Sequence, residues 1–272
     1  MAIAVERHQM SRRAALRRRL FSKERALQLA LVVVVLGVWQ YVGKREGDFI
    51  LAPPTSVVGS FADVLSGGKL WEAVSSTVTG IAIGFVLAAV IGVAVGTLMG
   101  TSRSVATALN PVVSAGYVIP EAAMVPLLII WFGLDTTPRI ISVVLFAVFE
   151  IILSTYAGVK NVDAVLPQVA RSFGASRAQV FRKVICIAAL PYIFAGLRMG
   201  AARAVKGMVV AELLFAATGV GGAIQDAANA YQTGKVMVYV IVITLIGVGF
   251  AGLMQLIERM WTRSWHGDNT ER

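Results

Sequence analysis

The feature that most constrains this chain is a series of long apolar blocks that contain no charged residue. Residues 26–43, 73–102 and 236–257 form such blocks in a chain of 272 residues, of which 57% are hydrophobic and only 15% are charged. A soluble domain carries about 25% charged residues, and a helix needs about 20 apolar residues to cross about 30 Å of hydrocarbon. Because backbone groups in lipid must bond inside their own segment or a closed barrel, blocks of this length predict an all-α integral membrane protein.

Three further apolar blocks bring the expected number of transmembrane helices to six. They cover approximately residues 105–133, 139–159 and 185–215. The first of these three is interrupted by Pro111, Pro120 and Pro126. Freed backbone groups in lipid must find partners, so we expect this span to be broken and to be buried in protein or to line a cavity.

The transmembrane domain covers residues 26–257. The Lys and Arg residues in the segments before, between and after its six spans set its orientation. Lys and Arg concentrate on the cytoplasmic side of membrane proteins. With a basic N-terminal arm (1–25) and a polar tail (258–272) both inside, 17 of the 25 Lys and Arg residues fall in cytoplasmic segments and five in outer ones. Both termini are therefore predicted to be cytoplasmic. Because the basic residues flank apolar blocks, the net charge of +10 does not indicate a nucleic-acid-binding protein.

Two segments beside the spans have patterns of their own. Block 26–43 follows the basic arm and ends without an A-x-A cleavage site, so we expect an uncleaved first span rather than a removed signal peptide. Between the breakers Pro53-Pro54 and Gly67-Gly68, apolar residues recur at helical spacing. This pattern indicates a short amphipathic helix at residues 53–66, on the outer surface of the membrane.

Enzyme chemistry finds little support in the sequence. The single cysteine, Cys186, has no Cys or His neighbours at metal-ligand spacing, and the two histidines, His8 and His266, lie in the tails. The motif G-x-x-x-x-G-K-[ST], whose backbone cradles nucleotide phosphates, is missing, because Gly234-Lys235 lacks the earlier glycine and the following hydroxyl. We therefore expect no catalytic residue, no metal ion and no bound cofactor in this chain.

The longest polar stretch between spans, residues 160–183, reads as two short helices. Gly174 marks the turn between them, because glycine tolerates a positive φ, and Ser176 is the expected N-cap of the second helix. The pair is expected to present a small apolar face made of Ala170, Phe173, Val180 and Phe181. An apolar face on the cytoplasmic side of a membrane indicates docking to a partner protein.

This segment resembles the EAA loop of the permease subunits of binding-protein-dependent ABC importers. Ala170 and Gly174 stand at the alanine and glycine positions of that loop, whereas Gln168 replaces its glutamate. The resemblance covers residues 50–262 and is greatest to the branch of nitrate, sulfonate, taurine and bicarbonate importers. The segments that carry it are 126–133, 155–159, 171–183, 195–200 and 210–213.

The resemblance implies the type I ABC importer permease fold, in the plasma (inner) membrane of a bacterium. It implies a homodimer of permeases, two cytoplasmic ATPase subunits that bind ATP and Mg, and an extracytoplasmic solute-binding protein. It further implies that residues 161–183 are coupling helices seated in the ATPase. The implied coupling residues are Ala170, Arg171, Phe173, Gly174, Ala175, Ser176, Val180 and Phe181. Because the loop glutamate is missing, we expect coupling to depend on the shape around Gly174.

Six charged residues lie inside the predicted spans, where a charge at the bilayer centre costs about 2.5–3.5 kcal/mol and needs a partner or water. They are Glu121, Glu150, Arg198, Arg203, Lys206 and Glu212. One interpretation is a polar translocation path whose positive groups attract an anion. The other is a neutralising network that holds spans three to five together. Met124 and Trp131, with Pro120 and Phe132, either gate such a path or pack as ordinary apolar side chains.

The favoured function is import of a small solute by ATP-driven alternating access. The basic residues of span five favour an anion, such as a sulfonate, a carboxylate or nitrate. On the outer side, residues 219–222 and Tyr231 form either a contact for the binding protein or an ordinary surface loop. The alternatives are a secondary transporter that uses the membrane glutamates as ion sites, and a membrane interaction protein that transports nothing.

Overall fold

The structure, a computed structural model, describes residues 26–215 and 218–263, and every regular element in these ranges is a helix. In chain order the helices are α1 (Ala26–Glu46), α2 (Pro54–Ser66), α3 (Lys69–Thr101), α4 (Arg103–Val118), α5 (Glu121–Phe132), α6 (Thr136–Lys160), α7 (Val165–Ser172), α8 (Arg177–Val180), α9 (Cys186–Phe215), α10 (Gly219–Asn229) and α11 (Thr233–Arg263). A π-helical turn, Phe181–Ile185, joins α8 to α9, so Arg177–Phe215 forms one continuous rod. The predicted arm at 1–25 and the end of the predicted tail, 264–272, lie outside the described residues.

Six apolar elements are long enough to cross a membrane when the bent pair α4–α5 counts as one span. The other five are α1, α3, α6, the rod that contains α9, and α11. This result confirms the predicted all-α architecture with six spans. Helix α3 begins at Lys69, before the predicted start of its span. The prediction began later because two charged residues, Lys69 and Glu72, occupy the exposed first turn of the helix.

Helices α3, α6 and α9 form the close-packed centre of the described chain. Glycines on α3 bring two backbones together: a Cβ at Gly92 would lie 2.7 Å from the side chain of Ile151, and one at Gly96 would lie 2.6 Å from the carbonyl oxygen of Ile152. The hydrophobic effect contributes little to the association of helices in lipid, so close packing at small residues supplies much of the attraction between them. Gly92 and Gly96, which lie four residues apart on one side of α3, therefore serve the close packing of α3 on α6.

Helices α4 and α5 form the predicted broken span and meet at an angle of 96°. The break lies at Ile119-Pro120 alone, whereas Pro111 and Pro126 lie inside α4 and α5. The expectation of three interruptions was therefore wrong, because a membrane helix tolerates a proline where neighbouring groups or local adjustments compensate for the lost hydrogen bond. The span is also largely exposed within the described chain. Its buried residues are Val113, Val125 and Leu128.

Two short helices lie at the outer ends of the spans. Helix α2 packs on α11 through Val57 and Val64, which are buried in a cluster with Val238. Helix α10 follows α9 and packs against α3, α9 and α11. Its first four residues, 219–222, are buried, so they form neither a surface loop nor an exposed outer contact. Tyr231, in contrast, is exposed and stacks on Phe49, with ring centroids 4.9 Å apart.

Candidate functional site

The cytoplasmic turn between α7 and α8 is built by local hydrogen bonds. Gly174 has φ of +81°, and its N–H donates to the carbonyl oxygen of Arg171 at 2.9 Å. The N–H of Ala175 donates to the carbonyl oxygen of Ala170 at 3.1 Å. This pair of bonds is the Schellman arrangement that ends helices at a left-handed glycine. The predicted positive φ at Gly174 is thus confirmed.

Ser176 caps the second helix on the other side of the turn. Its Oγ accepts the N–H of Gln179 at 3.3 Å, and its own N–H donates to Oε1 of Gln179 at 2.8 Å. The two bonds form a capping box, which satisfies backbone donors at the start of a helix reciprocally. The predicted N-cap is confirmed, and the turn is capped from both helices.

The exposed apolar surface of this helix pair lies on α7. Phe173 is 87% exposed, and Leu166 and Val169 are exposed on the same helix side. We call these three residues the α7 face. Val180 is only 2% exposed and packs inward, so its predicted place on a docking face was wrong. Phe181 is half-buried at the start of the π-helical turn, whose side chains point partly back onto the protein.

Phe173 was predicted as a docking residue, whereas Leu166 and Val169 were not, although the sequence holds a signal for them. Leu166, Val169 and Phe173 recur at intervals of three and four residues, which is the spacing of one helix side. The polar neighbours of this short helix obscured the pattern. The four basic side chains of the segment are also exposed: Arg171, Arg177, Arg182 and Lys183.

A cluster of charged side chains lies where α4, α5, α6 and α9 meet. Arg203 of α9 forms ion pairs with Glu150 of α6, at 3.0 Å from Nε to Oε2, and with Glu121 of α5, at 3.2 Å from Nη1 to Oε1. Its Nη2 donates to the hydroxyl of Tyr117 at 3.3 Å, and its guanidinium lies 5.2 Å from the centre of that ring. We call these four residues the Arg203 cluster. It brings together three of the six predicted membrane charges.

The Arg203 cluster lies near the middle of α6 and of α9, so it lies deep in the membrane-spanning region. It holds two carboxylates for one guanidinium. The break between α4 and α5 places Glu121 in the first turn of α5 and Tyr117 near the end of α4, so both reach the same arginine.

The remaining predicted path residues lie elsewhere. Arg198 pairs with Glu258 of α11 at 3.2 Å from Nη1 to Oε2. Lys206 is exposed and has no ion pair with any residue in 26–215 or 218–263. Met124 is half-buried and Trp131 is exposed on α5, and neither contributes a hydrogen bond or ring contact to the Arg203 cluster. Among the described residues, the neutralising network of the six charges is therefore formed only in part.

Glu212 has a different environment from the other membrane charges. Its side chain is fully buried, and its carboxylate accepts the hydroxyl of Thr77, at 2.7 Å to the nearer oxygen, and the N–H of Gly221, at 2.9 Å. Oγ1 of Thr77 in turn accepts the N–H of Val220 at 2.9 Å. Glu212 therefore fixes the first turn of α10 to α3 and α9. It forms no ion pair with a described base, so its prediction as a path residue finds no support in this geometry.

The glycines of α10 make this arrangement possible. Gly219 has φ of +80°, and a Cβ there would lie 2.0 Å from Oε1 of Glu212. Just before it, Thr218 accepts a hydrogen bond from Arg139, which is almost fully buried on α6. The glycines therefore allow the backbone of α10 to approach the buried carboxylate of Glu212 closely. They do not form a flexible outer loop.

Comparison with known proteins agrees with this architecture. The sequence profile of the family described as "Binding-protein-dependent transport system inner membrane component" matches residues 84–263. A protein of Bacillus subtilis (strain 168), named as a putative aliphatic sulfonates transport permease, is 34% identical over 244 residues, which cover 88% of each chain. The riboflavin transport system permease of Chloroflexus aurantiacus is 36% identical over 241 residues, which cover 88% of this chain and 90% of that one.

A solved structure shows the same fold. The inward-facing MetNI methionine ABC transporter superposes with a TM-score of 0.62 at 18% sequence identity, over 71% of this chain and 95% of that one. The expected family and the expected branch are confirmed, and the ion-coupled secondary transporter finds no support among these relatives. The chain therefore belongs to the inner-membrane component family of binding-protein-dependent transport systems, as a multi-pass permease subunit of a bacterial ABC importer.

Proposed function

We propose that this chain imports a small anionic solute as one half of a permease homodimer, by alternating access. Two cytoplasmic ATPase subunits supply ATP and Mg, this chain binds no cofactor, and an extracytoplasmic binding protein delivers the solute. The observation that carries the coupling part of the proposal is the exposed α7 face beside a turn capped from both sides. In this assembly residues 161–183 are the coupling helices, and Ala170, Arg171, Gly174, Ala175 and Ser176 shape the contact.

The α7 face has the chemistry of a docking surface. Burial of a Phe or Leu side chain contributes roughly 1.5–3 kcal/mol, and a protein exposes few large aromatic side chains without a contact to make. Exposed basic side chains flank the face, which suits a partner groove with an apolar floor and an acidic rim. In the proposed assembly, the partner that meets this face is an ATPase subunit at the inner surface of the membrane.

The rod Arg177–Phe215 supports transmission of the ATPase movement into the membrane. It starts at the capped turn and continues without a break to Arg203 and beyond. A displacement of the α7–α8 pair is therefore transmitted along a continuous helix rather than absorbed by a flexible loop. Arg203, Lys206, Glu121 and Glu150 are the path residues in this proposal, whereas Glu212 holds the outer helix α10 in place.

Replacement of Phe173 by alanine tests the docking surface. We expect the F173A variant to reach the membrane normally but to bind the ATPase about ten- to a hundredfold more weakly, because a buried aromatic anchor typically contributes more than 1 kcal/mol at an interface. Co-purification of the ATPase subunit with the detergent-solubilised permease, over a range of ATPase concentrations, measures the effect. Trp71→Ala is the matched control, since Trp71 is 78% exposed at the opposite, outer end of α3. Equal loss in both variants would contradict the assignment.

The anionic class of the solute has two supports. The sulfonate permease relative is 34% identical to this chain. In addition, Arg203 and Lys206 lie three residues apart on one side of α9, and Lys206 has no carboxylate partner among the described residues. The riboflavin permease relative defines the competing class, an uncharged aromatic solute.

A ligand panel on the solute-binding protein that delivers to this permease decides between the two classes. A ligand at 100 times its Kd stabilises a protein by about 2.7 kcal/mol, which shifts the melting temperature by several degrees. We expect such a shift with a sulfonate, a carboxylate or nitrate, and none with riboflavin. A shift with riboflavin alone would assign the permease to the other class.

A further inference from the structure

The Arg203 cluster joins two parts of the molecule that pack very differently. Glu150 and Arg203 belong to α6 and α9, whose glycines bring their backbones into direct contact. Glu121 belongs to α5, which together with α4 has only three buried residues. Helix α5 packs on both α6 and α9, and its buried apolar contact with α9 centres on Val125, packed against Ala211 and Phe215. Tyr117 of α4 also hydrogen-bonds Arg203 and Glu150. For α5 itself, the ion pair from Arg203 to Glu121 is the polar link to the packed centre among the described residues.

The two carboxylates of the cluster are not equivalent. The side chain of Glu150 is 9% exposed and stays inside the packed centre, whereas that of Glu121 is 21% exposed and lies on the loosely held element. Glu150 alone neutralises Arg203. Glu121 adds a second negative charge, which repels any anion that approaches the guanidinium. The side chain of Arg203 is 34% exposed, so its guanidinium can be reached once Glu121 has moved away.

We infer that Arg203 binds the acidic group of the solute in exchange for Glu121, and that this exchange releases α5 from α9. The inference rests on the proposed anionic solute. One guanidinium edge serves two competing acceptors: the carboxylate of Glu121 when the path is empty, and a sulfonate, carboxylate or nitrate group when it is loaded. Glu150 balances the positive charge of Arg203 in both states. Solute binding and movement of the broken span are thereby coupled, because each acceptor excludes the other.

Thiol labelling measures the release of α5 directly and requires neither the ATPase nor a known solute. In a C186S background, the V125C variant places a thiol of similar size at the buried contact between α5 and α9. A maleimide reaches this thiol only when α5 leaves α9, so the labelling rate follows the open fraction. The experiment uses the full chain in nanodiscs.

Glu121→Gln and Glu150→Gln form a matched pair, since each removes one negative charge from the same arginine. We expect E121Q to speed labelling at position 125 by roughly three- to fivefold, the effect of losing a partly exposed ion pair. E150Q leaves Glu121 as the only counter-charge, so we expect labelling to be unchanged or slower. Equal rates in the two variants would overturn the exchange, whatever the transport data show.

Small anions test the identity of the competing acceptor. Methanesulfonate, acetate and nitrate are compared with chloride at the same ionic strength. At least one of the three should speed labelling of the V125C chain beyond the chloride control, and none should do so in E121Q or in an R203Q variant. No response to any of the three would overturn binding of the acidic group at Arg203. If the ligand panel identifies an anion while E121Q and E150Q behave alike, the exchange fails and the proposed solute class stands.

Discussion

Replacement of Gly174 by valine is expected to abolish ATP-coupled uptake while the chain still inserts into the membrane. Gly174 has φ of +81°, a conformation that costs an L-amino acid about 1–2 kcal/mol and is least accessible to a β-branched residue. A Cβ at this position would meet no atom of the chain within 4 Å, so the change acts on the turn rather than through a clash inside the permease. The strained turn would re-aim α7 relative to α8 and move the α7 face out of register with the ATPase.

Gly174→Asn is the matched variant, because asparagine enters the left-handed region far more readily than valine. We expect G174N to retain a substantial part of the uptake that G174V loses. Uptake into proteoliposomes with the ATPase and binding protein present gives the comparison, and membrane yield checks insertion. Normal uptake by G174V would contradict the coupling role of this turn. Equal loss in both variants would show that the open space around Gly174 is filled by the partner.

Replacement of Glu212 by leucine is expected to be the most destabilising single change among the six membrane charges. Its carboxylate accepts the hydroxyl of Thr77 and the N–H of Gly221 in a fully buried site. Leucine leaves both donors without an acceptor, and each unsatisfied buried donor costs about 1–3 kcal/mol. The first turn of α10 would then detach from α3 and α9. We expect a loss of about 2–5 kcal/mol in stability and a loss of uptake.

Glu212→Gln separates the hydrogen bonds from the charge, because the amide oxygen still accepts one or both donors. We expect E212Q to keep most of the stability that E212L loses. Glu72→Leu is the control, since Glu72 is an exposed acid at the outer end of α3, the helix that carries Thr77, and its replacement should change stability by less than about 0.5 kcal/mol. Melting temperatures of the purified chain in detergent provide the measurement. A melting temperature for E212L equal to that of the unmodified chain would exclude the anchoring role.

The two predictions concern opposite ends of one rod. The capped turn lies before its cytoplasmic end, Glu212 lies near its outer end, and the Arg203 cluster lies between them. A variant at either end should therefore leave the other end folded. G174V is expected to fail in coupling with unchanged thermal stability of the membrane helices, whereas E212L is expected to fail in stability.

Features that depend on neighbouring residues were predictable from the sequence. The six apolar spans follow from block length, because crossing about 30 Å of lipid is a one-dimensional requirement. The positive φ of Gly174 and the cap of Ser176 follow from hydrogen bonds that close within a few residues. The close approach at Gly92 and Gly96 follows from their spacing on one helix side.

Features that depend on which helix sides meet were decided by the tertiary structure alone. The hydrogen bond from Thr77 to Glu212 joins residues 135 positions apart, and the pair of Arg203 with Glu121 joins residues 82 positions apart. Composition predicted that the six membrane charges needed partners, but only the rotation and crossing of the spans could choose them. The same reason explains the burial of Val180 and of residues 219–222, which the sequence placed on exposed surfaces.

The sequence by itself therefore determined that this protein lies in a lipid bilayer, how many spans it has and which shape its cytoplasmic turn takes. These features depend on local chemistry and on the thickness of the bilayer. The tertiary structure decided that one arginine is shared by two glutamates and that another glutamate holds α10, because a buried charge is satisfied by whichever group the packing brings within about 3 Å.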